Sequence, residues 1–166
     1  LTLAVQAVEA LKEARAREGA RLTDMLLGHV AQLRDLASLA SPMLPKLVEQ
    51  QRLRFLERWN EALGSTDATT SAKAAALDRA LSEATAFAIR IDVAEELTRL
   101  TSHLDEIDRL LRKGGELGKR LDFLIQELHR EANTLGSKSS SLELTRVSVD
   151  MKVLIEQLRE QVQNIE

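Results

Sequence analysis

The sequence predicts an all-α protein made of long helical hairpins with heptad-like seams, assembled into a helical oligomer. Three observations predict it. Apolar residues recur at steps of three and four along almost the whole chain, hardly any stretch alternates with period two, and glycine and proline are rare and mark the joints. The 166 residues are 44% hydrophobic, enough to bury a core of ordinary domain size.

The elements follow in order. Leu3, Val8, Leu11, Leu22, Leu26, Val30, Leu33 and Leu36 predict a first helix over residues 2–40, stopped by Pro42 and Pro45. A second helix is expected from Lys46 to Leu63, with Leu53, Leu56 and Trp59 inward and Gly64 as its C-terminal cap, closing a hairpin over 1–64. The polar run 65–71 is the expected linker to a C-terminal helical domain over 72–166, with Ser71 or a neighbour capping the next helix. Val93, Leu97, Leu100, Leu104, Ile107 and Leu111 form a heptad seam, broken by Gly114 and Gly115. Leu121, Leu124, Leu128, Ala132 and Leu135 mark the buried stripe of another helix, expected to end at Gly136. Ser140 and Glu143 match a capping box for a last helix, whose seam is read as Leu144, Val147, Met151, Leu154, Leu158 and Ile165, interrupted by Gln161. Seams this regular want a partner helix, within the chain or in another subunit.

Composition narrows the chemistry. Lys and Arg number 23 against 26 Asp and Glu, a net charge of -3, so nucleic acid would have to be held by a local basic patch. The only aromatic residues are Phe55, Trp59, Phe87 and Phe123, which argues against a base-stacking platform and leaves charge and shape as the means of holding RNA. The absence of cysteine excludes disulfides and thiolate metal sites. No stretch approaches the roughly 20 apolar residues of a membrane span, and the opening residues lack a signal peptide's basic start and cleavage site. A soluble, intracellular protein is expected, and Leu1, already in helical pattern, points to a piece of a longer chain.

Two polar clusters stand out. In RIDVAEELTRLTSH, residues 90–103, Asp92, Glu96, Arg99 and His103 step by four, three and four, sharing one face opposite the seam. Such a face could hold a hard divalent cation or supply an acid and a base, and spacing alone favours a solvated face laced with Glu–Arg pairs. In the helix of residues 120–138, Asp122, Gln126, Arg130 and Asn133 share a face, with Glu127 and Glu131 beside it and Lys119, Arg120 and Lys138 adding positive charge. Phosphate contacts with a metal fit this set, and so does a buried polar network. Asp122 and Asn133 are poor helix formers, which tilts the reading toward function. His29 reads as a surface residue and His129 as incidental. There is no HExxH, di-iron Glu-x-x-His pair, Gly-rich phosphate loop or nucleophile elbow.

GKRLDFLIQE (118–127), REANTLGSK (130–138) and KVLIEQLREQVQNIE (152–166) closely resemble the C-terminal signature of the YicC/YloC family. RIDVAEELTRLTSH resembles its second signature, and REGARL (17–22) more weakly the helical close of its N-terminal domain. The resemblance implies a bacterial, cytoplasmic, stress-induced endoribonuclease that depends on a divalent metal, manganese or magnesium, and assembles as a hexamer around RNA. On that basis Asp92, Glu95 and Glu96 are expected at the metal, and Glu96, His103, Asp122 and Glu127 in catalysis. Arg90, Arg99, Lys119, Arg120, Arg130, Asn133 and Lys138 are expected on RNA. His129 and the serines after Lys138 depart from the family pattern, and its strand-rich opening is absent from these 166 residues. The other functional classes are a non-catalytic oligomerisation and RNA-clamping module, and an adaptor that recruits another RNA-decay enzyme.

Overall fold

The computed structural model describes residues 2–46, 49, 53, 57, 71–115, 117–138 and 141–163, without the side chains of residues 2, 71–73, 75–77, 80–81 and 83–92. Among the described residues four helices have defined bounds: α1 (Thr2–Ala40), α2 (Ser71–Lys113), α3 (Gly118–Lys138) and α4 (Leu142–Gln163). No strand occurs among the described residues. The all-α expectation holds. Helix α1 packs on α2 and α4, α2 on α3, and α3 on α4, so each helix has two neighbours, the ring order of a four-helix bundle. Of the expected second helix, residues 46, 49, 53 and 57 are described and helical, and Leu53, expected inward, is exposed; Leu56, Trp59, Gly64 and residues 65–70 of the linker lie outside the described residues.

Core positions follow the periodicity, with three informative differences. All six residues of the α2 seam, from Val93 to Leu111, are buried. In α1 the stripe divides: Leu26, Val30 and Leu33 enter the core, whereas Leu3, Val8 and Leu11 are exposed. The cause is length. At about 1.5 Å per residue, the 39 residues of α1 outrun the 21 and 22 of α3 and α4, so the N-terminal half of α1 projects past them. In α4 the seam runs through Leu144, Val147, Met151, Ile155, Leu158 and Val162, while Leu154 is only partly buried and Ile165 lies outside the described residues. Packing places the contact one residue on at two steps, at Ile155 in place of Leu154 and at Val162 in place of Gln161, while Leu144, Val147, Met151 and Leu158 keep their places.

The joints explain the antiparallel turns. Gly114 and Gly115 take φ of 70° and 103°, values that side-chain-bearing residues rarely adopt. The Gly114 N–H closes on the Leu110 carbonyl at 3.0 Å, a left-handed end to α2. Across this turn Glu106 accepts from Arg109 at 2.7 Å and from Arg120 of α3 at 2.9 Å. Helix α3 does not end at Gly136 but continues to Lys138. Gly136 is instead a packing position: a Cβ there would clash with Ser148 Oγ and lie 3.2 Å from Ser148 Cβ. At the start of α4, Ser141 takes the capping role: its Oγ accepts from Leu144 N–H at 3.4 Å, and Ser140 lies outside the described residues. Between α1 and α2, Arg34 pairs with Asp105 at 2.6 Å.

Candidate metal centre

Helices α2 and α3 meet along apolar seams, and at one level the seam turns acidic. Glu131 occupies the heptad step between Leu128 and Leu135 of α3, a position built for an apolar side chain. Its side chain is 1% exposed. From α2, Glu96 is also buried, 8% exposed as a residue, and reaches the same level. His103 and Glu127, both half-buried, complete the group. Ligand atoms of His103, Glu127 and Glu131 all lie within 4.8 Å of one another.

Charge balance holds this arrangement together. Arg130 bridges Glu127 at 2.9 Å and Glu131 at 3.0 Å. The Lys138 ammonium lies 3.5 Å from Glu96 Oε1, and Arg99 Nη1 lies 3.8 Å from Glu96 Oε2. Glu96 Oε2 is buried and has no hydrogen-bond donor. Two carboxyl groups can bond to each other only through a proton. Hydrogen bonding to Glu131, reinforced by burial and by the Glu131 charge, pushes the Glu96 carboxyl above the usual range, against Lys138 and Arg99. Burial pulls Glu131 upward as well, but hydrogen bonds from Glu96 and Arg130 outweigh it and hold Glu131 below the usual range. The two carboxyls are pushed in opposite directions, Glu96 toward the protonated form and Glu131 toward the charged one.

The other expected site residues fall around this centre. Glu95 is exposed and paired with Arg99. Asp122, half-buried, accepts from Gln126 Nε2 at 2.8 Å. Asn133, exposed, shares a 3.0 Å hydrogen bond with His129 Nδ1, so His129 is engaged rather than idle. Lys119 is exposed, and Arg120 belongs to the Glu106 clasp. The side chains of Arg90 and Asp92 lie outside the described residues. His29, read as a surface residue, is half-buried, and its Nδ1 is buried without a partner. Sequence reasoning noted Glu131 without giving it a role. The available signal was a charged residue on an otherwise apolar heptad step, since such a charge must be paired or used.

Residues 40–166 match the family model described as "Endoribonuclease YicC-like, C-terminal". The chain belongs to this family. A Haemophilus influenzae protein named "Probable endoribonuclease YicC" is 41% identical over 152 residues, covering 92% of this chain and 50% of that protein. A Clostridioides difficile protein of the same name is 33% identical over 163 residues, covering 94% and 51%. The chain thus spans about half the length of these YicC relatives. No helix among the described residues is long and apolar enough to cross a membrane.

Proposed function

We propose that the chain is the helical part of a metal-dependent endoribonuclease of the cytoplasm, in which His103, Glu127 and Glu131 hold a divalent cation and Glu96 exchanges a proton with the reacting groups. The observation that carries this reading is the convergence of His103, Glu127 and Glu131, whose ligand atoms lie within 4.8 Å of one another, with Glu131 meeting the buried Glu96 of α2. The donor set fits the group. One imidazole nitrogen with carboxylate oxygens and no thiolate suits manganese or magnesium. A cation bound there supplies positive charge against the charge that develops on a phosphodiester as it is cleaved.

The protein's own residues have separable tasks. Arg130 neutralises Glu127 and Glu131, and on exchange for a cation its guanidinium becomes available to an RNA phosphate. Arg99 and Lys138 lie beside Glu96 and can hold the flanking phosphate. Glu96, whose carboxyl is pushed above the usual range, is suited to act as the acid that gives a proton to the departing oxygen. Arg90, Lys119, Arg120 and Asn133 extend RNA contact along the helices. Lacking an aromatic platform, the site grips RNA by backbone charge.

Oligomerisation belongs to the same reading, because Leu3, Val5, Val8 and Leu11 leave an exposed apolar stripe on the projecting half of α1. The half-length coverage of the relatives favours a second reading, an assembly and RNA-clamping module whose chemistry is completed elsewhere. One experiment separates them: labelled single-stranded RNA is incubated with this chain and with the full-length protein, with manganese, magnesium or EDTA. Metal-dependent cleavage by the full-length protein that Glu131→Gln abolishes supports the centre. Cleavage unaffected by Glu131→Gln overturns it.

A further inference from the structure

Helix α3 is held between two partners, and its two faces divide the contacts cleanly. Glu131 and Lys138, one heptad apart, reach toward Glu96 of α2. Ala132 and Gly136, one helical turn apart, face α4, where the buried Ser148 hydroxyl donates to the Ala132 carbonyl at 2.7 Å. That carbonyl also receives the helical N–H of Gly136. Ser148 Oγ thus sits in the notch left by the missing side chain of Gly136. A Cβ at position 136 would meet this hydroxyl, so either Ser148 must turn away and give up its bond to the Ala132 carbonyl or α3 must shift against α4. Either change disturbs the packing of α3, and a shift of α3 alters how Glu131 stands against Glu96 of α2.

We infer that the notch formed by Gly136, Ser148 and the Ala132 carbonyl is a positioning device for the acidic centre, setting the depth at which Glu131 stands against Glu96. The inference rests on the proposed metal site for its function, but the positioning itself is independent of any metal. Neither Gly136 nor Ser148 approaches a reacting group; both act through the backbone of α3. Outer partners of metal ligands typically change affinity by 10–100-fold when lost. An interlock that fixes the helix carrying Glu131 belongs in that range.

The test compares Gly136→Ala, Ser148→Gly and the double variant Gly136→Ala/Ser148→Gly in the full 166-residue chain. Manganese affinity is read by calorimetry, and the metal-free chemical shift of the Glu131 side-chain carboxyl carbon is read by NMR. Gly136→Ala is expected to weaken manganese binding at least about tenfold and to move the Glu131 resonance. In the double variant, which removes both colliding atoms of Ser148, the two readouts should return toward the parent values. Folding is followed by circular dichroism. If Gly136→Ala does not fold, Ser148→Gly, which opens the notch without a clash, must still move the Glu131 resonance for the inference to stand. A folded Gly136→Ala protein with an unmoved Glu131 resonance, or a double variant that recovers neither readout, overturns it. If the parent chain binds no manganese, the metal reading fails, and the resonance alone decides the positioning claim.

Discussion

Glu96 of α2 and Glu131 of α3 meet inside a helical seam, the Glu96 carboxyl pushed above the usual range and the Glu131 carboxyl held below it, with Lys138 beside the first and Arg130 beside the second. Burying two carboxyl groups is unfavourable unless each is paired and hydrogen-bonded. Apolar residues of similar volume would pack this level of the seam with less penalty, so the pair is best explained by use rather than by stability.

Glu96→Gln separates those two roles. The amide keeps the shape and its N–H can donate to the Glu131 carboxylate, so thermal unfolding should shift little. Cleavage by the full-length protein should fall by about 10²–10⁴-fold, the usual contribution of a positioned acid or base. Gel-based cleavage rates beside a melting curve check both halves.

Glu106 gives the bundle an acid-sensitive contact. Hydrogen bonds from Arg109 and Arg120 lower its pKa from 4.5 to about 2. A lowered carboxylate stabilises the fold fully above its unfolded value and loses that contribution as pH falls through the folded one. Stability contributed by this clasp should therefore fade between pH 4.5 and about 2, and Glu106→Gln should flatten that part of the profile. Urea unfolding of both proteins across this range is the check.

The α4 seam register can be tested directly. Ile155 is fully buried and Leu154 only partly so. Ile155→Ala should cost about 2–5 kcal/mol, the usual range for a buried Ile or Leu cut to Ala, and Leu154→Ala distinctly less. Equal losses in denaturant titrations would place both on the seam.

Much of the fold was legible because α2 keeps an unbroken 4-3-4-3-4 apolar spacing and because Gly114, Gly115, Pro42 and Pro45 punctuate the chain. The register of α4 was not, since Leu154 and Ile155 are both apolar and only packing chooses between them. Gly136 misled for a similar reason: glycine after an apolar stripe usually marks a C-cap, but here it admits Ser148. At the candidate site, spacing grouped Glu96 with His103 but assigned them to solvent. Their burial depends on α3, and no one-helix pattern shows which neighbour covers a face.

The turn between α2 and α3 makes its own prediction. With φ of 103° at Gly115, an alanine there must adopt a strained backbone, a cost of order 1–3 kcal/mol. Gly115→Ala should lower stability by about that amount, whereas alanine at Gly19, which would meet no neighbouring atom and lies within α1, should be neutral or stabilising. Chemical denaturation of the two variants tests the contrast.

The most direct test of the acidic centre is anomalous diffraction at the manganese edge from crystals of this chain grown or soaked with manganese. A peak among His103, Glu127 and Glu131, lost in Glu131→Gln, is the predicted result. A manganese-saturated protein whose anomalous peaks all lie away from those three residues would contradict it.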